Sequence, residues 1–227
     1  MTNIYENYLN LEEYLKDSAD KVCNFSIKNC KHGIMAKDCD CTWYHSVWQY
    51  LRLLGLVSTP SWHDQFFKKE LCNAINNKKS VNVLISGTAD YSMLAYVIYA
   101  CKVANIDYNI DVLDTCPTPL YACEWYSQIN NFKINKIQEN ILKYSPNKKY
   151  DLICTDAFLT RFDKNTAQEV VNKWSKLLNQ NGKIITTIRI HTKDENIKGY
   201  EENLQEEFSN KAKERTKVFQ KYIQYSP

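Results

Sequence analysis

Gly87 and Asp114 are the two positions whose types and spacing could hold a nucleotide-like ligand between them. Val81 to Ile85 reads as a buried β-branched strand that runs into a tight turn at Gly87. About one βα unit later, Ile110 to Asp114 is a second apolar run ending in a carboxylate. In an open α/β sheet, a glycine at the first strand tip lets the backbone approach a ligand. An acid at the next tip accepts hydrogen bonds from ribose hydroxyls. A pyrophosphate cradle needs further glycines, but Ala89 and Tyr91 stand two and four positions after Gly87. A ligand without phosphate tolerates that loss.

A second group of reactive side chains precedes the first strand. His45, Trp48, Gln49 and Arg52 fall at i, i+3, i+4 and i+7, on one face of a helix. Such a face suits the roof of a pocket, and the planar fork of an arginine recognises carboxylates. Trp48 and Arg52 are therefore read as substrate-binding. Candidates for a general base are His45, His63, Asp156 and His191. Cys23, Cys30, His32, Cys39 and Cys41 gather in one polar stretch. Their spacing lacks a pair of Cys-x2-Cys knuckles, so no metal is expected.

Positioning these groups takes an alternation of strands and helices. Leu94, Val97, Ile98 and Cys101 form one helical stripe after the first strand, and Thr118-Pro119 opens the next helix. Weaker strands follow at Lys133–Gln138 and Tyr150–Thr155. Thr166 and Glu169 read as a capping box, Asn181-Gly182 as the end of that helix, and Lys183–Ile190 as a fifth strand. Five strands alternating with helices imply an α/β fold with a doubly wound, mainly parallel sheet. Three regions result: a helical N-terminal cap over 1–80, an α/β core over 81–191 and a charged helical segment over 192–227. In the cap, a short helix around Tyr8 to Leu15 precedes a loop over 24–42. Val47, Leu51 and Leu54 mark an apolar helix face, and Thr59 caps a further helix with Pro60 at its first position.

Composition narrows the function classes. Lys and Arg total 29 against 26 Asp and Glu, a net charge of +3 without a basic stripe, so nucleic acid is not an expected partner. Aromatic residues make up 13%, enough to line a pocket. No apolar run approaches the ~20 residues of a membrane span, and nine cysteines scattered through strands and helices fit reduced thiols in a cytoplasmic setting.

The order of these segments resembles the class I S-adenosylmethionine-dependent methyltransferases. The glycine motif is degenerate: Ile85 stands where that family has an acid, and its later glycines are replaced. The resemblance implies that S-adenosyl-L-methionine is the cofactor. Its contacts would be Ser86, Gly87, Thr88, Asp90, Ser92 and Met93 at the first turn, then Asp114, Thr115 and Cys116 beyond the second strand. Glu139, Asn140 and Ile141 would meet the adenine, with Thr155 at the fourth strand. Asp156 and Phe158 would face the methyl group and its acceptor. Members that methylate amino groups of nucleic acid or protein amides carry paired prolines here; this chain has Ala157. A small-molecule methyl acceptor is therefore expected. Two rivals stand beside it: an NAD(P)-dependent oxidoreductase, and a catalytically silent methyltransferase-like partner. The family core closes with two further strands, which the sequence after 191 does not offer. The fifth strand is then expected as an edge covered by the last helix or by a second copy in a homodimer.

Overall fold

The computed structural model describes residues 4–30 and 41–189, with Glu206, Asn210, Lys213 and Glu214 beyond them. His32, Cys39, His191 and the expectations for the tail lie outside the described residues.

Five strands form one parallel sheet in the order β3-β2-β1-β4-β5. They are β1 (Ser80–Ser86), β2 (Asp107–Asp114), β3 (Asn135–Gln138), β4 (Tyr150–Cys154) and β5 (Leu178–Ile185). Side chains alternate between two helical layers, as the pleat requires. Val83 and Ile85 of β1, Ile110 and Val112 of β2, and Leu152 and Cys154 of β4 enter one core. Leu84, Leu113 and Ile153 enter the other, against Val170 and Trp174. Burial on both faces explains why these strands are continuous apolar runs. The fold is α/β and doubly wound.

Helices α4 (Ser92–Ala104) and α5 (Pro117–Ile129) cover the first face, and α6 (Lys164–Leu177) covers the second. The N-terminal elements complete the cover: α3 (Asp64–Ile75) packs beside α4 and reaches β5, a short 3-10 turn at Ile4–Leu9 lies on α4, α1 (Leu11–Asn29) packs on α5, and α2 (Thr42–Leu53) packs on α1. Helix α4 is consequently buried from Ser92 through Cys101, with no solvent face.

Several local expectations are corrected. The first helix does not stop before residue 24, because α1 continues to Asn29. Buried Val22 and Ser26, and Phe25 stacked 4.2 Å from Tyr121 of α5, hold that last stretch. Pro60 opens a 3-10 turn (Pro60–His63) that leads into α3, and Thr59 bonds Ser61 rather than a backbone N–H. Asp163, not Thr166, caps α6, accepting from the Asn165 and Thr166 backbone N–H groups. Asn181-Gly182 does not end that helix. β5 starts at Leu178, immediately after α6, and stops at Ile185. Its register slips between Leu178, opposite Tyr150, and Lys183, opposite Leu152. Asn181 takes φ 65° within this bulge. The third and fourth strands are also shorter than the sequence suggests.

Candidate active site at the strand tips

β1 and β4 mark the reversal of strand order, so the C-terminal ends of β1, β2 and β4 are where this architecture binds ligands. Gly87 turns the chain out of β1 with φ +74°. Its N–H donates to the Leu113 carbonyl at 2.8 Å, and its carbonyl accepts from Thr155 Oγ1 at 3.1 Å. The turn is thereby tied to the tips of both neighbouring strands. Glycine is required twice over, since a Cβ here would overlap the ring of Phe158. That ring leans on Phe162 and Trp174 and covers the turn.

Asp114 ends β2. Its carboxylate accepts from Thr88 N at 3.1 Å and from Cys116 N at 2.8 Å. Burial pushes this carboxyl above its ordinary value, with the Cys116 and Thr88 N–H groups opposing. The Glu139 N–H donates to the Asp114 carbonyl at 3.1 Å, which brings the third tip alongside. Asn140 Oδ1 there accepts from Leu142 N at 2.9 Å, and Glu139 Oε1 from Asn140 N at 2.7 Å. Ile141 is buried in the second core, and Met93 in the first. Ser86 points to the α6 side, accepting from Trp174 Nε1 at 2.9 Å. The Thr115 carbonyl accepts from Gln138 Nε2 at 3.2 Å.

Asp90 is the hub of the first turn. Its carboxylate accepts from Arg52 Nη1 at 2.5 Å, Trp48 Nε1 at 2.8 Å, and Ser92 N and Oγ at 2.7 and 2.5 Å. Burial alone would raise this carboxyl, but the Arg52 charge and the two Ser92 bonds outweigh it and hold the group below its ordinary value. Trp48, Arg52 and Asp90, assigned by sequence to separate substrate and cofactor roles, are thus one cluster.

Helix α2 explains why. It turns its polar face inward: His45, Gln49 and Arg52 are buried, while Trp43 and Val47 are exposed at 71% and 40%. Each inward group has a partner on another element. His45 Nδ1 lies 3.3 Å from Cys116 Sγ, beyond β2. Arg52 reaches the turn after β1, and Tyr44 lies under the Arg161 guanidinium at 5.5 Å, beyond β4. One helix therefore crosses three strand-tip loops. The Gln49 and Ser18 bond, at 2.8 Å, and the Ser18 and Tyr91 bond, at 2.9 Å, tie α1 to the same assembly.

Three base candidates are placed apart from one another. Asp156 bonds the Thr187 hydroxyl at the β4 tip, beside Ala157 with φ 50°. His63 is exposed at the end of its 3-10 turn, edge-on to Phe67. His45 is enclosed by thiols. Sequence reasoning passed over Asp111 of β2. This buried acid accepts from Tyr150 Oη at 2.5 Å, Lys148 Nζ at 2.8 Å and Asn135 Nδ2 at 2.8 Å. The only available signal was an acid inside an apolar strand.

No protein-family model matches the chain, and no curated protein matches it. Among solved structures it is similar to the N-methyltransferase NodS from Bradyrhizobium japonicum WM9 in complex with S-adenosyl-L-homocysteine. That match has 18% identity over 62% of this chain and 71% of that chain, with a TM-score of 0.45. It is also similar to an S-adenosylmethionine-dependent methyltransferase from Clostridium acetobutylicum ATCC 824. Here identity is 16% over 64% of this chain and 57% of that chain, with a TM-score of 0.48. The chain thus spans only part of the length of the solved proteins it resembles.

Proposed function

We propose that the strand tips bind S-adenosyl-L-methionine and that the chain transfers its methyl group to a small-molecule acceptor. The observation that carries this reading is the pairing of a left-handed Gly87 with the Asp114 carboxylate at adjacent tips, beside the reversal of strand order. Asp114 keeps lone pairs for ribose hydroxyls beyond the two N–H groups it already accepts. Ala89 and Tyr91 leave no seat for a pyrophosphate, which argues against a nicotinamide dinucleotide. Methyl transfer from a sulfonium is an in-line displacement, so the protein's task is to align the reactants and exclude water. Helix α2, lying over three tips, is suited to that task and to selecting the acceptor. Asp156 is the preferred group where the acceptor must lose a proton.

Calorimetric titration with S-adenosyl-L-homocysteine tests the reading. Asp114→Ala should weaken binding by about 1.5–3 kcal/mol, the worth of hydrogen bonds to a charged group. Unchanged affinity in the folded variant would remove Asp114 from the site. One observation favours a second reading, a silent methyltransferase-like partner: the Phe158 ring already covers Gly87. Absence of binding by the intact chain, restored by Phe158→Ala, would decide for it.

A further inference from the structure

Three thiols and one imidazole converge from four places in the chain. Cys30 follows the last turn of α1, Cys41 precedes α2, His45 lies in the first turns of α2, and Cys116 precedes α5. Their Sγ and Nδ1 atoms all lie within 4.8 Å of one another. Cys30 Sγ is 3.6 Å from Cys116 Sγ, and Cys41 Sγ is 3.7 Å from Cys116 Sγ. His45 Nδ1 is 3.4 Å from Cys30 Sγ and 3.3 Å from Cys116 Sγ. A tetrahedral zinc with ordinary bond lengths sets its ligands about 3.8 Å apart for two sulfurs and about 3.6 Å apart for sulfur and nitrogen. Four of the six edges match that tetrahedron to within a few tenths of an ångström, and the two from Cys41 to Cys30 and His45 stay within 4.8 Å. The sulfurs are also far beyond the ~2.05 Å of a disulfide bond, and all three cysteines are free.

We propose that Cys30, Cys41, His45 and Cys116 form a structural zinc site. Four protein ligands leave no open position, so the ion would act as a clamp and not as a Lewis acid. The surroundings suit an anionic thiolate cage. Thr118 Oγ1, buried 3.0 Å from Cys30 Sγ, can donate to the sulfur, and buried Ser26 Oγ lies 3.1 Å from it while donating to the Thr42 carbonyl at 3.2 Å. The sequence reading expected no metal because it weighed only the sequence-local set. Cys116 comes from beyond β2, and His45 from inside a helix, so neither belongs to the spacing of the Cys-rich stretch. Binding would join the N-terminal helices to the segment that follows Asp114, since Cys116 N donates to that carboxylate.

The test is the zinc content of the full chain purified without a metal-affinity step. One zinc per chain is expected, and cobalt exchanged into the chelator-stripped protein should show the strong visible bands of tetrahedral thiolate coordination. Cys30→Ser, Cys41→Ser, Cys116→Ser and His45→Ala should each weaken zinc binding at least tenfold, whereas Cys72→Ser should retain it. Because a ligand variant can misfold, the wild-type chain supplies a second measurement. Stripping should lower its melting temperature, and one equivalent of zinc should restore it. A metal-free chain that neither takes up cobalt nor is stabilised by zinc overturns the site. So does a purified chain in which mass analysis finds two of these thiols joined as a disulfide. Neither readout uses S-adenosyl-L-homocysteine, so the cofactor reading can fail without affecting this one.

Discussion

The Arg52 and Asp90 side chains meet with 3% and 4% of their surfaces exposed. Removing one partner from such a pair strands a charge in the interior. Arg52→Met should therefore cost about 3–5 kcal/mol, and adding Asp90→Asn to the same chain should recover part of it. Urea melts of the single and double variants check this. The pair also has a pH signature. Asp90 titrates below its ordinary value in the folded chain, so its contribution is complete above the unfolded pKa of about 3.9 and is lost as pH falls through the lower folded value. Below about pH 4, the wild-type chain should lose stability faster than the double variant. Asp114 should behave in the opposite sense, because burial raises it. Cofactor binding that needs its charged form should weaken at a higher pH than an exposed aspartate would allow, as calorimetry across pH would show. At Gly87 the backbone and the Phe158 ring both exclude a side chain. Gly87→Ala should destabilise by about 2–5 kcal/mol, and Phe158→Ala should relieve only the steric share. Gly87 and Asp114 were legible in the sequence because a turn glycine and a terminal carboxylate interrupt apolar runs. Asp90's partnership was not, because Arg52 lies a whole helical layer away in the chain.

Among the elements, the parallel strands were the most legible. Burial on both faces leaves an unbroken apolar signature, and each strand is bracketed by turn residues. The bulge in β5 was not legible, since Asn181-Gly182 reads equally as a helix stop and as a left-handed step within a strand. Helix α2 was legible in part, since the face of His45, Gln49 and Arg52 does turn inward. Its apolar stripe, Val47 among it, suggests a buried face, yet the groups actually buried are polar, each bonded to a distant element even though Gln49 Nε2 and Arg52 Nε find no partner among the described residues. A periodicity of types cannot say which face finds partners. Two substitutions separate the readings. Val47→Lys should change stability by no more than about 0.5 kcal/mol, as an exposed site does. Gln49→Ala, which deprives the buried Ser18 hydroxyl of a partner, should cost about 1–3 kcal/mol. Chemical denaturation of both variants decides between the faces.

For the whole molecule, the parallel sheet and its helices on both faces followed from alternation, while the strand order and the depth of the N-terminal layer did not. Tyr91, Leu94 and Tyr96 of the α4 region belong to a core shared with Leu11, Leu15, Phe67 and Leu71. A chain beginning at residue 77 should therefore lack a cooperative melt and bind a hydrophobic dye, despite retaining every strand. Cooperative unfolding of that fragment would show the α/β core to be self-sufficient.

The enclosure of α4 on every side also has a meaning for biosynthesis. Helices α1 to α3 leave the ribosome before α4 and α5, carrying apolar faces whose partners on those two helices have not yet been translated. At about 5–20 residues per second, those faces wait for a time on the order of several seconds before α4 appears. During that interval the uncovered faces are open to association, so slowing translation between residues 30 and 104 should lower the yield of folded chain, as expression with rare codons in that stretch would show.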